Sequence, residues 1–300
     1  MADDWYWQAD GQLLLQDYQG AERLDNLSGF GLRLGADYLE RGGFKLGYNA
    51  HHKNFIAVAS DDPRELDENV FYLSGHGNFH PSVLPGRLTL RLDGYDGRDD
   101  YHSRVTVGGG MGVHTQQQTS TDRFWVLNPM LSFINFAKTL YLDLGYAQSH
   151  YHSDDGATDD LTVRQWTPTL GLGFNQAYDW LQLRAYFINP SASNRLSAAD
   201  SSQALEVKWS HWFGLHAPLR LHSLTLAVLG GERRYAVDSD TYALVNVPDL
   251  QKEAVTLAAG WQLAERTEVL LAASYARYRD TAYADDYDSS LLFVSLSQRW

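Results

Sequence analysis

The chain has 300 residues, 44% of them hydrophobic, with a mean hydropathy of -0.37, and no stretch reaches the ~20 apolar residues of a transmembrane helix. Lys+Arg 24 against Asp+Glu 37 gives a net charge of -13, which argues against a nucleic-acid partner. The absence of cysteine excludes disulfide and thiolate chemistry, while 9 Trp and 18 Tyr make the chain rich in interfacial aromatics.

In chain order, residues 5–18 read as a strand that starts in aromatics, with the polar break 20–26 after it. Residues 28–40 alternate with period 2, Phe30, Leu32, Leu34 and Ala36 on one face and Gly31, Arg33, Gly35 and Asp37 on the other. Arg41-Gly42-Gly43 reads as a tight turn on glycine φ > 0, leading into a strand over 44–58. A charged loop over 61–68 precedes a strand at 69–79. Further strands are read at 87–93, 102–115 and 123–136, with Pro129 expected to mark a bulge. The remaining strands are 140–152, 161–176, 180–188, 204–214, 220–235, 253–263, 268–280 and 290–300.

The connections alternate in length. Those at 137–139, 177–179, 216–218 and 264–267 are short, whereas 153–160, 189–203, 236–252 and 281–289 are long and polar. Short turns on one side and long loops on the other are the habit of an outer-membrane barrel. The expected fold is therefore all-β: one transmembrane antiparallel up-and-down β-barrel over residues 1–300, with short periplasmic turns and long acidic extracellular loops. The strands read along the chain number fifteen, and closure requires an even number. Sixteen is expected, with fourteen the alternative and the miscount placed within 80–122.

The last strand, Ser290 to Trp300, carries the assembly signal. Leu292, Val294, Leu296 and Trp300 fall on one face and Phe293, Ser295, Ser297 and Arg299 on the other, and the chain stops on an aromatic. This ending resembles the C-terminal signal of bacterial outer-membrane barrels, which implies the barrel-assembly machinery, outer-membrane lipid and lipopolysaccharide as partners. Charge on the lipid face is costly, ~2–4 kcal/mol at mid-membrane. Residues placed on the lumen face are accordingly Arg33, Asp37, Arg87, Arg91, Asp93, Arg164, Gln182, Arg184, Glu206, Lys208, Gln262, Ser295, Ser297 and Arg299.

No catalytic set emerges. Ser210 and His211 are adjacent in a strand and point to opposite faces, so they cannot act as nucleophile and base. Gly108-Gly109-Gly110 lacks the Lys-Ser/Thr of a phosphate loop. His150, His152, Asp154 and Asp155, with Asp159 and Asp160, read as an acidic solvated loop in preference to a metal site. No enzyme, metal or cofactor is expected.

The closing hairpins (SYARYRDTAYADDYDSSLLFVSLSQRW) resemble those of the C-terminal barrel domains of exopolysaccharide export proteins of the Pel, poly-N-acetylglucosamine and cellulose systems. That resemblance implies export of a cationic or neutral polysaccharide, periplasmic export partners, and a barrel cut from a longer chain. It would also account for Met1-Ala2-Asp3-Asp4, which lacks the basic and apolar regions of a signal peptide. A passive porin for small hydrophilic solutes is the alternative, ahead of a surface-protein export barrel or an outer-membrane enzyme.

Overall fold

The computed structural model describes residues 5–56, 63–109, 112–154, 158–191, 201–214, 218–245, 249–281 and 285–300. The strands are β1 (Trp5–Gln19), β2 (Leu24–Tyr38), β3 (Gly42–Phe55), β4 (Pro63–Phe79), β5 (Gly86–Gly109), β6 (Gly112–Asn135), β7 (Leu140–Ser153), β8 (Leu161–Phe174), β9 (Asp179–Pro190), β10 (Ser202–Trp212), β11 (Leu221–Arg233), β12 (Ala236–Asp238), β13 (Ala243–Val245), β14 (Leu250–Ala264), β15 (Thr267–Asp280) and β16 (Asp285–Arg299). β12 and β13 pair only with each other, and the other fourteen close one antiparallel barrel. No helix among the described residues is long and apolar enough to cross a membrane.

Fourteen is thus the count, and the region 80–122 explains the miscount. Residues 87–93 and the first half of 102–115 form one long strand, β5. The second half of 102–115 joins 123–136 as β6, and the hairpin closes at Gly109↔Gly112. The apparent break is a run of polar residues, Asp93 to Asp100, carried in unbroken register with β4 and β6.

Two local readings are corrected. Pro129 makes no bulge: Leu92↔Pro129 pairs, and Leu127↔Gln148 and Met130↔Gly145 keep one register across it. At the β2–β3 turn Leu39, not glycine, takes the left-handed conformation (φ 48). Gly42 is needed for close approach instead, since a Cβ there would meet the His76 carbonyl oxygen at 2.4 Å.

The closing seam pairs β1 with β16 from Gln8↔Arg299 to Gln19↔Asp288. Trp7 and Trp300 then exchange both backbone hydrogen bonds at 3.1 Å, which sets the terminal residue next to Trp7, itself part of an aromatic cluster with Trp5 and Phe44, Trp5 also meeting Tyr38, at the periplasmic rim. Leu292, Val294 and Leu296 point outward, in one belt with Leu13, Leu32, Leu73 and Leu257, the last four 52–61% exposed. A ring of such side chains far exceeds the apolar patch a water-soluble monomer presents, and lipid is its natural solvent.

The interior is packed as well. Val70, Tyr72, Tyr95, Phe124, Tyr151, Leu161, Val163, Tyr186 and Ile188 face inward and form one core with Tyr235, Ala236, Val237 and Tyr242. These last four belong to the connection between β11 and β14. Its sequence predicts a polar extracellular loop, yet it folds back into the lumen as the β12–β13 hairpin.

Candidate transport pathway

The in-folded hairpin divides the lumen. Its anchors lie on β4, β5 and β7–β10. The Gln165 side chain donates to the Val237 carbonyl (2.8 Å) and accepts from the Val237 amide (3.0 Å), mimicking a strand partner. Arg91 donates to the Ser239 carbonyl at 2.8 Å. Arg184, its side chain only 3% exposed, donates to Asp240 at 2.6 Å and reaches Asp238 at 3.5 Å; Lys208 also donates to Asp240. Tyr242 stacks on Tyr72 at 5.1 Å, with the Arg91, Lys45 and Arg33 cations 4.5, 5.3 and 5.5 Å from its ring.

The electrostatics hold the tip in place. Burial by itself would push the Asp240 carboxyl up, but Arg184 and Lys208 outweigh it and hold that carboxyl well below the usual carboxylate range. Asp249, where the segment returns to the wall, behaves oppositely. Burial pushes it up, only partly offset by the hydrogen bond it accepts from the Tyr287 hydroxyl at 2.7 Å.

On the other side of the hairpin the wall changes character. Inward positions of β14, β15 and β16 are largely small or apolar, with Ala258, Leu270, Ala272, Leu291 and Phe293, and Leu14 and Leu27 extend that patch onto β1 and β2 between the polar Gln12, Gln16 and Arg33. A cavity of about 570 Å³ lies between them and the hairpin residues Asp238, Asp240, Thr241, Tyr242 and Leu244. That volume and mixed lining are ordinary for a site that takes a small organic molecule.

The residues read as lumen-facing distribute as follows. Arg33 meets Asp10 at 2.9 Å, and Arg91 meets Asp93, fully buried, at 2.7 Å. Gln182, Arg184 and Lys208 converge on Asp240, and Glu206 lines the cavity beside them. Asp37 lies at the periplasmic rim, 3.6 Å from His76, and Arg87 lies low on β5. Ser295 lines the cavity, and Ser297 and Arg299 continue its face of β16, where Arg299 meets Glu268 at 3.6 Å. Gln262 braces the β14–β15 turn, donating to the Ala264 carbonyl at 2.6 Å.

Arg164 is the correction. It alternates with buried Val163 and Gln165 and shares the outward face of β8 with Trp166, Leu170 and Leu172. It sits near the extracellular end of the strand, opposite Gln148 and Asn189, where an arginine reaches water or headgroups at little cost. His150 and His152 also face outward, and His152 meets Asp160 at 2.7 Å; Asp155 lies outside the described residues.

Sequence reading missed the hairpin and the apolar inner wall. Both had signals. Tyr235-Ala236-Val237 and Tyr242-Ala243-Leu244-Val245 are too apolar for a solvated loop. The runs Leu270-Leu271-Ala272-Ala273 and Leu291-Leu292-Phe293-Val294 are apolar on both faces, so their inner face cannot be polar.

No protein-family model matches the sequence, and no curated protein matches it. Solved structures do. The Pseudomonas putida toluene transporter TodX aligns over 100% of this chain and 90% of its own, at 11% identity and a TM-score of 0.59. The Ralstonia pickettii toluene transporter TbuX aligns over 100% and 90%, at 11% identity and 0.53. A Pseudomonas aeruginosa FadL homologue aligns over 99% and 90%, at 10% identity and 0.51. None of these three is an exopolysaccharide exporter, so the resemblance drawn from the closing hairpins is not supported. The chain shares with them the fold of bacterial outer-membrane β-barrels.

Proposed function

We propose that this barrel is an outer-membrane channel for small organic molecules with an apolar part, and not an exit pore for a polysaccharide. One observation carries the reading: the β12–β13 hairpin fills the charged side of the lumen and leaves a cavity of about 570 Å³ whose far wall is small and apolar. A sugar polymer would need that hairpin out of the way, against the hydrogen bonds and ion pairs of Gln165, Arg91, Arg184 and Lys208. The fold it shares with toluene transporters lends support. A hydrophilic porin would use the same hairpin as a constriction but has no need of Leu270, Leu291 and Phe293 on its inner face.

The test is uptake into Gram-negative cells carrying the barrel, comparing radiolabelled toluene with arabinose. Expression should speed entry of toluene, and Ala272→Arg, which puts a charge on the apolar wall, should abolish the gain. Equal acceleration of arabinose, unaffected by that change, would leave the porin reading in possession.

A further inference from the structure

The cations of the lumen are not equally matched. Arg33 and Arg91 sit on carboxylates, and Arg184 and Lys208 share Asp240. Lys45, Lys53 and Arg87 have no carboxylate within ion-pair distance among the described residues. Lys53 is 7% exposed, and its ammonium lies 6.0 Å from the Tyr18 ring. The acids near it are engaged elsewhere, Glu68 with His51 at 2.7 Å and Asp249 with Tyr287 at 2.7 Å. The Lys45 ammonium lies 5.3 Å from the Tyr242 ring. The Arg87 Nε is shielded from solvent and, among the described residues, has no hydrogen-bond acceptor.

A cation removed from bulk water without a counter-charge is expensive. Three of them on one side of a passage, facing inward, are explained by a mobile anion that visits them. Lys53 and Lys45 share the inner face of β3, eight residues and hence about 26 Å apart. Lys53 is near the extracellular end; Lys45 and Arg87 are near the periplasmic end. Between these levels β16 and β15, three and four strands from β3 around the barrel, present Leu291, Phe293, Leu270 and Ala272 to the lumen.

We propose that the passage conducts small carboxylates with an apolar body, the anionic head moving from Lys53 to Lys45 and Arg87 while the body slides along Leu270, Leu291 and Phe293. This assignment rests on the channel reading above and names its substrate class. It runs against the net charge of -13: among the described residues the inward acids without an ion pair, Asp143 and Glu206, stand apart on β7 and β10, whereas the unmatched cations stand together on β3 and β5.

The experiment is zero-current potential and current block in planar bilayers. The protein is refolded, and each variant is checked for heat-modifiable migration. In a potassium chloride gradient the wild type should be anion-selective, and benzoate should block the chloride current where toluene does not. Lys45→Gln and Arg87→Gln should each lower the anion-to-cation permeability ratio by about fivefold, the effect of one unit charge some 4 Å from an ion in water. Arg98→Gln, on the outer face and paired with Asp100 at 2.8 Å, should change nothing. Lys53→Gln is the second probe should either of the others fail to fold. A conducting but cation-selective wild type, or variants with unaltered selectivity, would overturn the carboxylate assignment and leave the channel standing. Absence of both conductance and toluene uptake would remove the channel itself.

Discussion

Replacing Asp240 with alanine is the sharpest test of the in-folded hairpin. Asp240 accepts from Arg184 at 2.6 Å and from Lys208, and Arg184 is 97% removed from solvent, its side chain being 3% exposed. Its other acid contact in the hairpin, Asp238, is long at 3.5 Å. Deleting one partner of a buried pair destabilises by ~3–5 kcal/mol, because the remaining charge is stranded. With Asp238 still in reach, the lower end applies, ~3 kcal/mol, all of it charged to the docked hairpin. At 1.4 kcal/mol per tenfold, the docked-to-undocked ratio falls by about a hundredfold. Single-channel recording should show longer and larger open events, and limited proteolysis should cleave the 236–245 segment faster. Asp240→Asn keeps an acceptor for Arg184 and should fall between the two. If Asp240→Ala leaves both conductance and cleavage at wild-type values, the ion pairs do not hold the hairpin in the lumen.

The pH dependence follows from the same carboxyl. The docked Asp240 titrates below its undocked range, so its stabilisation is fully present above about pH 4 and is lost as pH falls through the lower docked value; the difference in conductance between wild type and Asp240→Ala should be flat from pH 7 to 5 and close in stronger acid, the other lumen carboxyls being common to both proteins. Gly47→Ala should loosen the hairpin at a distance, since a Cβ there would meet the Tyr72 ring at 2.2 Å and displace the platform on which Tyr242 stacks; ~1–3 kcal/mol of overpacking strain is expected, read as faster proteolysis and a lower melting temperature. Leu292→Arg, on the lipid face, should destabilise the refolded barrel by ~2–4 kcal/mol in urea titrations into lipid vesicles, while Ser295→Arg should leave it folded; equal losses would contradict the facing of β16.

Much of this was legible because a membrane barrel writes its rules into local pattern. Lipid on one side punishes every outward charge, so period-2 alternation in β2 and β16 placed Arg33, Asp37 and Leu292 on their faces without any tertiary information. Where that pressure relaxes, reading fails. Arg164 stands at the extracellular end of β8, beyond the strictest part of the belt, and its polarity no longer reports its face. The polar middle of the β5–β6 hairpin imitates a loop for the same reason, since strands that project past the membrane carry charge on both sides.

By itself the sequence determined a closed antiparallel barrel, its sidedness and most of its inward residues, because each of these follows from alternation and turn length within a few tens of residues. Only the tertiary structure decided what the lumen is. The β12–β13 hairpin reaches partners on β4, β5, β7, β8, β9 and β10, its side-chain hydrogen bonds spanning from 32 residues for Lys208 to Asp240 to 148 for Arg91 to Ser239. Such pairings leave no periodic trace. The passage is the space that remains between that hairpin and an apolar wall, and a space is a property of the assembled fold.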